Sequence, residues 1–238
     1  MFARKISAYV LLLIFLFSFL IKLYPLYHGY TVPLGAVDTS FHIASALDLY
    51  EGNFKSTIHP WWHLKNHYLV DGYDIVDRNA ASFFYPPFLH IALALGFGLM
   101  HPGIAAMIVV SLLYALSVIA VFLLCKSFKF KDMAALASSA LIGLSAPLIY
   151  SQNYGFWTFA ISLNFLILSY SFLRLKSRKF TVISIVFYFL ALITHWAFFP
   201  LAVMIGLVEL LVDKNKESKL YILLAVLVAL PFYAYIFY

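Results

Sequence analysis

The chain has 238 residues, of which 64% are hydrophobic and 11% charged, with a formal net charge of +6. Soluble domains carry roughly 25% charged residues, and a soluble single domain cannot bury this much apolar surface. The expected solvent is a bilayer, which only helices or a closed barrel cross with every backbone group satisfied. Long Leu/Ile/Phe/Val runs, rather than short alternating segments, select helices. The positive charge does not imply nucleic acid, because Lys and Arg fall in short clusters between apolar runs. There they report topology and attraction to anionic membrane lipid. The single cysteine, Cys125, excludes an intrachain disulfide and a cysteine-based zinc cage.

Arg4 and Lys5 precede an apolar run over 6–21 with no small-residue cleavage site, so residues 1–27 read as an uncleaved transmembrane anchor. Lys22 reads as an interfacial residue snorkelling to water, or as a cation near a phosphate. Residues 28–102 form a long external loop. Within it, 38–51 predicts a short helix ending at Gly52. A second helix is expected over 60–70, with Trp61, Trp62, Tyr68 and Leu69 at the membrane interface. His59, His63 and His67, with Asp71 a turn further on, form the wet face of that helix or a metal-binding stripe. Asp71, Asp74 and Asp77 lack the alternation of a calcium loop and read as a solvated turn around Gly72. Tyr85-Pro-Pro-Phe then opens an apolar run over 88–100, about 13 residues where about 20 are needed to cross.

Charge decides whether that run crosses. If it does, with Arg4 and Lys5 inside, then Lys126/Lys129/Lys131 and Arg174/Lys176/Arg178/Lys179 fall outside, against the positive-inside rule. If it dips in and returns, or lies along the interface, every basic cluster, including Lys214/Lys216/Lys219, faces the cytoplasm. The expected fold is therefore an all-α integral membrane protein of about seven transmembrane helices. The anchor is followed by spans over 103–125, 133–150, 155–173, 180–196, 198–212 and 220–238, a six-helix bundle over 103–238. The N-terminus is cytoplasmic and the first long loop external, in a multi-pass protein of the cell membrane. Ser151-Gln-Asn-Tyr154 and Thr194-His-Trp196 turn on the external side.

Asp38 is the first acidic residue of the chain, and His42 follows one helical turn later. An aspartate at the outer membrane surface acts as a general base, or it caps the helix starting at Thr39. His42 orients Asp38, contacts a phosphate or binds a metal. Arg78 grips a phosphate through two parallel hydrogen bonds, or pairs with Asp74 or Asp77. His195 is a hydrogen-bonded core residue, or it lines the cavity that holds Asp38. Gln152 and Asn153 read as turn residues. There is no Gly-rich phosphate loop, nucleophile elbow or HExxH zinc motif.

The pattern Gly35-x-x-Asp38-Thr-x-Phe-His42, followed by Ala44, Leu47, Gly52, Trp61/Trp62 and Tyr85-Pro-Pro87, resembles the N-terminal module of GT-C-fold membrane glycosyltransferases. Within that superfamily it looks most like the prokaryotic membrane proteins labelled 6-pyruvoyl-tetrahydropterin synthase-related, a label that implies no pterin chemistry. The likeness covers about residues 4–89, and the later helices agree in number and layout. It implies an inverting transfer of a sugar from a polyprenyl-phosphate carrier to an acceptor hydroxyl outside the cytoplasm. Asp38 would be the base, with Arg78, His42, Tyr85 and His195 on the substrate and its phosphate. Many such enzymes carry a second acidic motif in the next external loop; 151–154 has no carboxylate, so a divalent metal is not supported.

The alternative is a non-catalytic GT-C-like module, or a truncated subunit that needs a membrane-protein partner. The end of the chain at Tyr238, inside an apolar run, favours that reading. A transporter is disfavoured, because the spans are nearly free of charge apart from Glu209. The topology predicts that cysteines introduced at Ser127 and Ser177 are labelled from the cytoplasm alone. Labelling of either by a membrane-impermeant reagent from outside would sink the seven-span arrangement.

Overall fold

The computed structural model describes residues 2–30, 37–52, 68–70, 73–75, 87–153, 156–175 and 177–195, with isolated positions between 200 and 230. The expected spans over 198–212 and 220–238 lie largely outside these residues. The described chain is helical apart from one small hairpin. Its elements are α1 (Phe2–Lys22), α2 (Tyr24–Tyr27), α3 (Val37–Tyr50), β1 (Tyr68–Val70), β2 (Tyr73–Ile75), α4 (Phe88–Phe97), α5 (Pro102–Ser127), α6 (Asp132–Gly143), α7 (Ala146–Asn153), α8 (Trp157–Arg174) and α9 (Arg178–Leu192).

Helix α5 is the axis of the fold and packs against α1, α4, α6 and α8. Pro102 opens it at a position where the missing N–H costs nothing. Its buried face alternates small residues (Gly103, Ala105, Ala106, Ala115, Ala120) with larger ones such as Met107, Val110 and Tyr114, which lets neighbouring backbones approach closely. Among the described residues it is the one helix long and apolar enough to cross a membrane. Its 26 residues reach about 39 Å, against about 30 Å of hydrocarbon. Large apolar side chains are left exposed elsewhere, including Tyr9, Leu13 and Phe17 on α1 and Leu95, Met133 and Leu141, a surface suited to lipid rather than water.

Contacts at the two ends of the bundle sort its polar residues. At one end Ser7 donates to Asp132 at 2.9 Å, and Lys126 pairs with the same carboxylate. There the Arg174 guanidinium also lies over the Phe128 ring, 4.4 Å from its centroid. The start of α1, the end of α5, the start of α6 and the end of α8 therefore meet, and Lys126, Lys129, Lys131 and Arg174 gather with them. Cys125 is buried at this end. At the other end Ser111 reaches the Lys22 carbonyl, and the Phe88 N–H donates to the Ile193 carbonyl at 3.1 Å. Helix α3 packs on α4 there, burying Ile43, Ala44, Ala46 and Leu47, and Gly52 follows it at φ +86°, as a helix-ending glycine does.

Three expectations are corrected. The helix predicted over 60–70 does not include its last residues: Tyr68–Val70 is a strand, paired antiparallel to Tyr73–Ile75 with Val70 opposite Tyr73. Tyr, Val and Ile favour strands, and the intervening Asp71-Gly72 is the dipeptide that favours a two-residue hairpin loop. The single span predicted over 133–150 is two helices, broken at Leu144 and Ser145. Pro147 is the cause, since it has no N–H to give the Gly143 carbonyl four residues back and its ring crowds that oxygen.

The third correction concerns Lys22, which does not snorkel. It is 2% exposed, and its ammonium donates to Gly143 O and Ser18 Oγ, each at 2.7 Å, while Ser18 Oγ donates to Gly143 O at 2.8 Å. The carbonyl that Pro147 leaves without its helical partner thus takes two donors from α1, at the negative end of the α6 dipole. Gly143 is held to glycine chiefly by α5, because a Cβ there would stand 2.3 Å from Val118 Cγ2, while toward α1 it would lie 3.2 Å from Ser18 Oγ.

This linkage makes a quantitative prediction. Lys22→Met should lower stability by about 1–3 kcal/mol, because a buried acceptor loses a charged donor. In a Pro147→Ala background, where residue 147 regains an N–H, the same substitution should cost clearly less. Thermal unfolding of the four proteins of the cycle in one detergent measures the coupling; equal costs in both backgrounds would refute the link.

Candidate functional site

The expected site residues divide three ways. Arg78, Tyr85, His59, His63 and His67, Trp61 and Trp62, and Asp71 and Asp77 lie outside the described residues. Asp38 is placed by its backbone alone, as the second residue of α3. That puts it inside the first helical turn rather than at a cap before Thr39, and the first turn favours negative charge. His42 and His195 are described, and both lie at the end of the bundle opposite Lys126, Lys129 and Arg174.

His42 is completely buried. Its Nδ1 lies 3.0 Å from Nε2 of His90 on α4, a ring that is 2% exposed. His42 also stacks on Trp157, the first residue of α8, with centroids 5.8 Å apart and planes 20° from parallel. The Trp157 indole N–H donates to the Gln152 carbonyl at 2.7 Å. Three helices thus hold one imidazole, α3 from below, α4 at its edge and α8 at its face. His195 follows α9 and meets Phe159 edge to face at 5.7 Å. It is close enough to His42 for its charge to weigh on that ring.

The electrostatics favour neutral rings. His42 is held well below the ordinary histidine range by burial first, then by the nearby His90 and His195. Burial alone pushes His90 down to about 4. A neutral imidazole offers one donor and one acceptor, so in this state His42 is a hydrogen-bonding group.

Sequence reasoning missed His90, Asp48 and the role of Gln152. Gln152 is no simple turn residue: its amide N–H₂ donates to Ser111 Oγ at 2.8 Å and to the Lys22 carbonyl at 3.3 Å. This joins the Lys22 cluster to Trp157 and so to His42. Thr39, His42, Ser45 and Asp48 are all buried along α3, and their three-residue spacing marks one stripe of the helix. His90 carried a legible signal, an ionisable side chain inside the apolar run 88–100, which is a functional-site hypothesis by default.

The histidine pair sets a pH dependence. Because the folded His90 has a lowered pKa, the unfolded chain binds more protons between about pH 4 and 6.5. Stability is then full above pH 6.5 and is lost as the pH falls through that window, by roughly 1–2 kcal/mol at pH 5 for this ring. Thermal unfolding of wild type and His90→Gln at pH 7 and pH 5 tests this. The variant should lose less on acidification, and identical losses would refute the assignment.

No protein-family model matches the chain, and no curated protein matches it.

Proposed function

We propose that the chain is a multi-pass membrane glycosyltransferase of the GT-C type, moving a sugar from polyprenyl phosphate to an acceptor hydroxyl at the external face. The single observation that carries this reading is the position of Asp38. It opens α3 one turn before the buried His42, at the end of the bundle opposite the basic residues. With the positive-inside rule, that end is external and the arrangement of about seven spans has the parity the charges require. The short α4 supports the same count: it starts beside Ile193 and leads into Pro102, and its 10 residues reach only about 15 Å.

In the proposed reaction the Asp38 carboxylate takes the proton of the acceptor hydroxyl. That oxygen attacks the anomeric carbon from the face opposite the phosphate, and the bond to the phosphate oxygen breaks. The phosphate leaves with the electron pair, and the anomeric centre inverts. Arg78 is the cation for the departing phosphate, a role that suits a guanidinium. His42 holds the base in place, and Tyr85 and His195 line the substrate side. The proposed transfer uses no metal, since 151–154 supplies no second carboxylate.

The missing second carboxylate also favours the other reading, a non-catalytic module of the same fold. One experiment separates them. Asp38→Asn is inserted at wild-type level, and transfer from labelled polyprenyl-phosphate sugars is measured in membranes. A general base predicts a rate lower by about 10²–10⁴-fold at unchanged protein level. Transfer at the wild-type rate would end the catalytic assignment, and no transfer by wild type with any donor sugar would favour the non-catalytic module.

A further inference from the structure

His90 is an ionisable side chain in the site that the proposed transfer does not use. It comes from α4, whose other buried residues are apolar or glycine. An imidazole buried in such a helix costs several kcal/mol unless its polar atoms are matched, and the match at Nε2 is His42 Nδ1, 3.0 Å away. Two neutral imidazoles at that separation hold one proton between them, one nitrogen donating and the other accepting. The two nitrogens of an imidazole are linked through its tautomer, so this bond couples the tautomers of the two rings and, with them, the state of His42 Nε2. Trp157 meanwhile fixes the ring plane by stacking, and its own N–H is anchored on Gln152. Helical side chains lean toward the preceding turn, and in α3 the residue one turn before His42 is Asp38.

We propose that His90 is a positioning residue of this site: its hydrogen bond couples its tautomer to that of His42 and fixes the orientation of that ring, on the helical turn that follows Asp38. The proposal rests on the reading of Asp38 as the general base. It gives α4 a task beyond filling space, which is to carry the hydrogen-bonding partner of His42 into the site from a helix that does not bear the base.

The test uses the full-length chain in lipid nanodiscs with ¹⁵N-labelled histidine, comparing wild type, His90→Leu and His90→Gln. The glutamine amide keeps a hydrogen-bonding atom near the place of Nε2. In wild type His42 should show one tautomer; His90→Leu should change its nitrogen resonances, and His90→Gln should restore a single tautomer. In the transfer assay His90→Leu should lower kcat about tenfold or more with KM within about twofold, and His90→Gln should recover most of that loss. His42 resonances unmoved in His90→Leu, equal kcat loss in both variants, or a loss confined to KM would each overturn the proposal. So would stoichiometric metal on the pair, released by chelator with a shift of both rings. Asp38→Asn is assayed alongside. If it transfers like wild type, the base assignment falls, and the nitrogen spectra still decide whether His90 sets His42.

Discussion

One carbonyl oxygen organises the centre of this molecule. Pro147 cannot donate to Gly143, so the helix over 133–150 breaks and leaves a buried acceptor. Gly143 is buried there, and an unmatched carbonyl in such a place costs a few kcal/mol. Ser18 and Lys22 of α1 supply the donors. Their reach ties α1 to α6 at Gly143, where a Cβ would be tight against Ser18 and would clash with Val118 of α5. The lysine charge sits at the negative end of α6, which offsets part of the cost of taking it out of water.

The same cluster continues into the candidate site. Ser111 and Gln152 bond around the Lys22 carbonyl, Gln152 receives the Trp157 indole, and Trp157 stacks on His42. The junction of α1, α5 and α7 and the histidine pair are thus one connected polar seam through an otherwise apolar bundle. Its rigidity matters because a hydrogen-bonding group that orients a base must itself be held within a fraction of an ångström.

The sequence made the element layout readable where one physical signal dominated. Long apolar runs flanked by Lys and Arg marked α1, α5, α8 and α9 within a few residues. Gly52 marked the end of α3. The errors fell where a local signal competed with the run. Pro147 was read through because hydropathy does not fall there. Tyr68 and Leu69 were assigned to an interfacial helix because aromatic content outweighed the Asp-Gly pair beside them. Lys22 was taken for a surface residue because nothing local reveals an orphan acceptor 121 positions away. In the site, Asp38 and His42 were legible from their spacing on one helix. His90 stood out as an ionisable residue in an apolar run, but its pairing did not, because the partner lies 48 residues earlier on another helix.

Gly143 and Pro147 also bear on how this sequence is free to change. Lysine at position 22 answers a demand created by the absent N–H at position 147, although the two side chains belong to different helices. A chain with an ordinary helix former at 147 would have no use for a buried ammonium at 22. Selection should then replace it with an apolar residue of similar length. Residues 22 and 147 are therefore expected to drift as a pair, with 18 and 143 staying small, and that covariation would trace the missing hydrogen bond through any set of related chains.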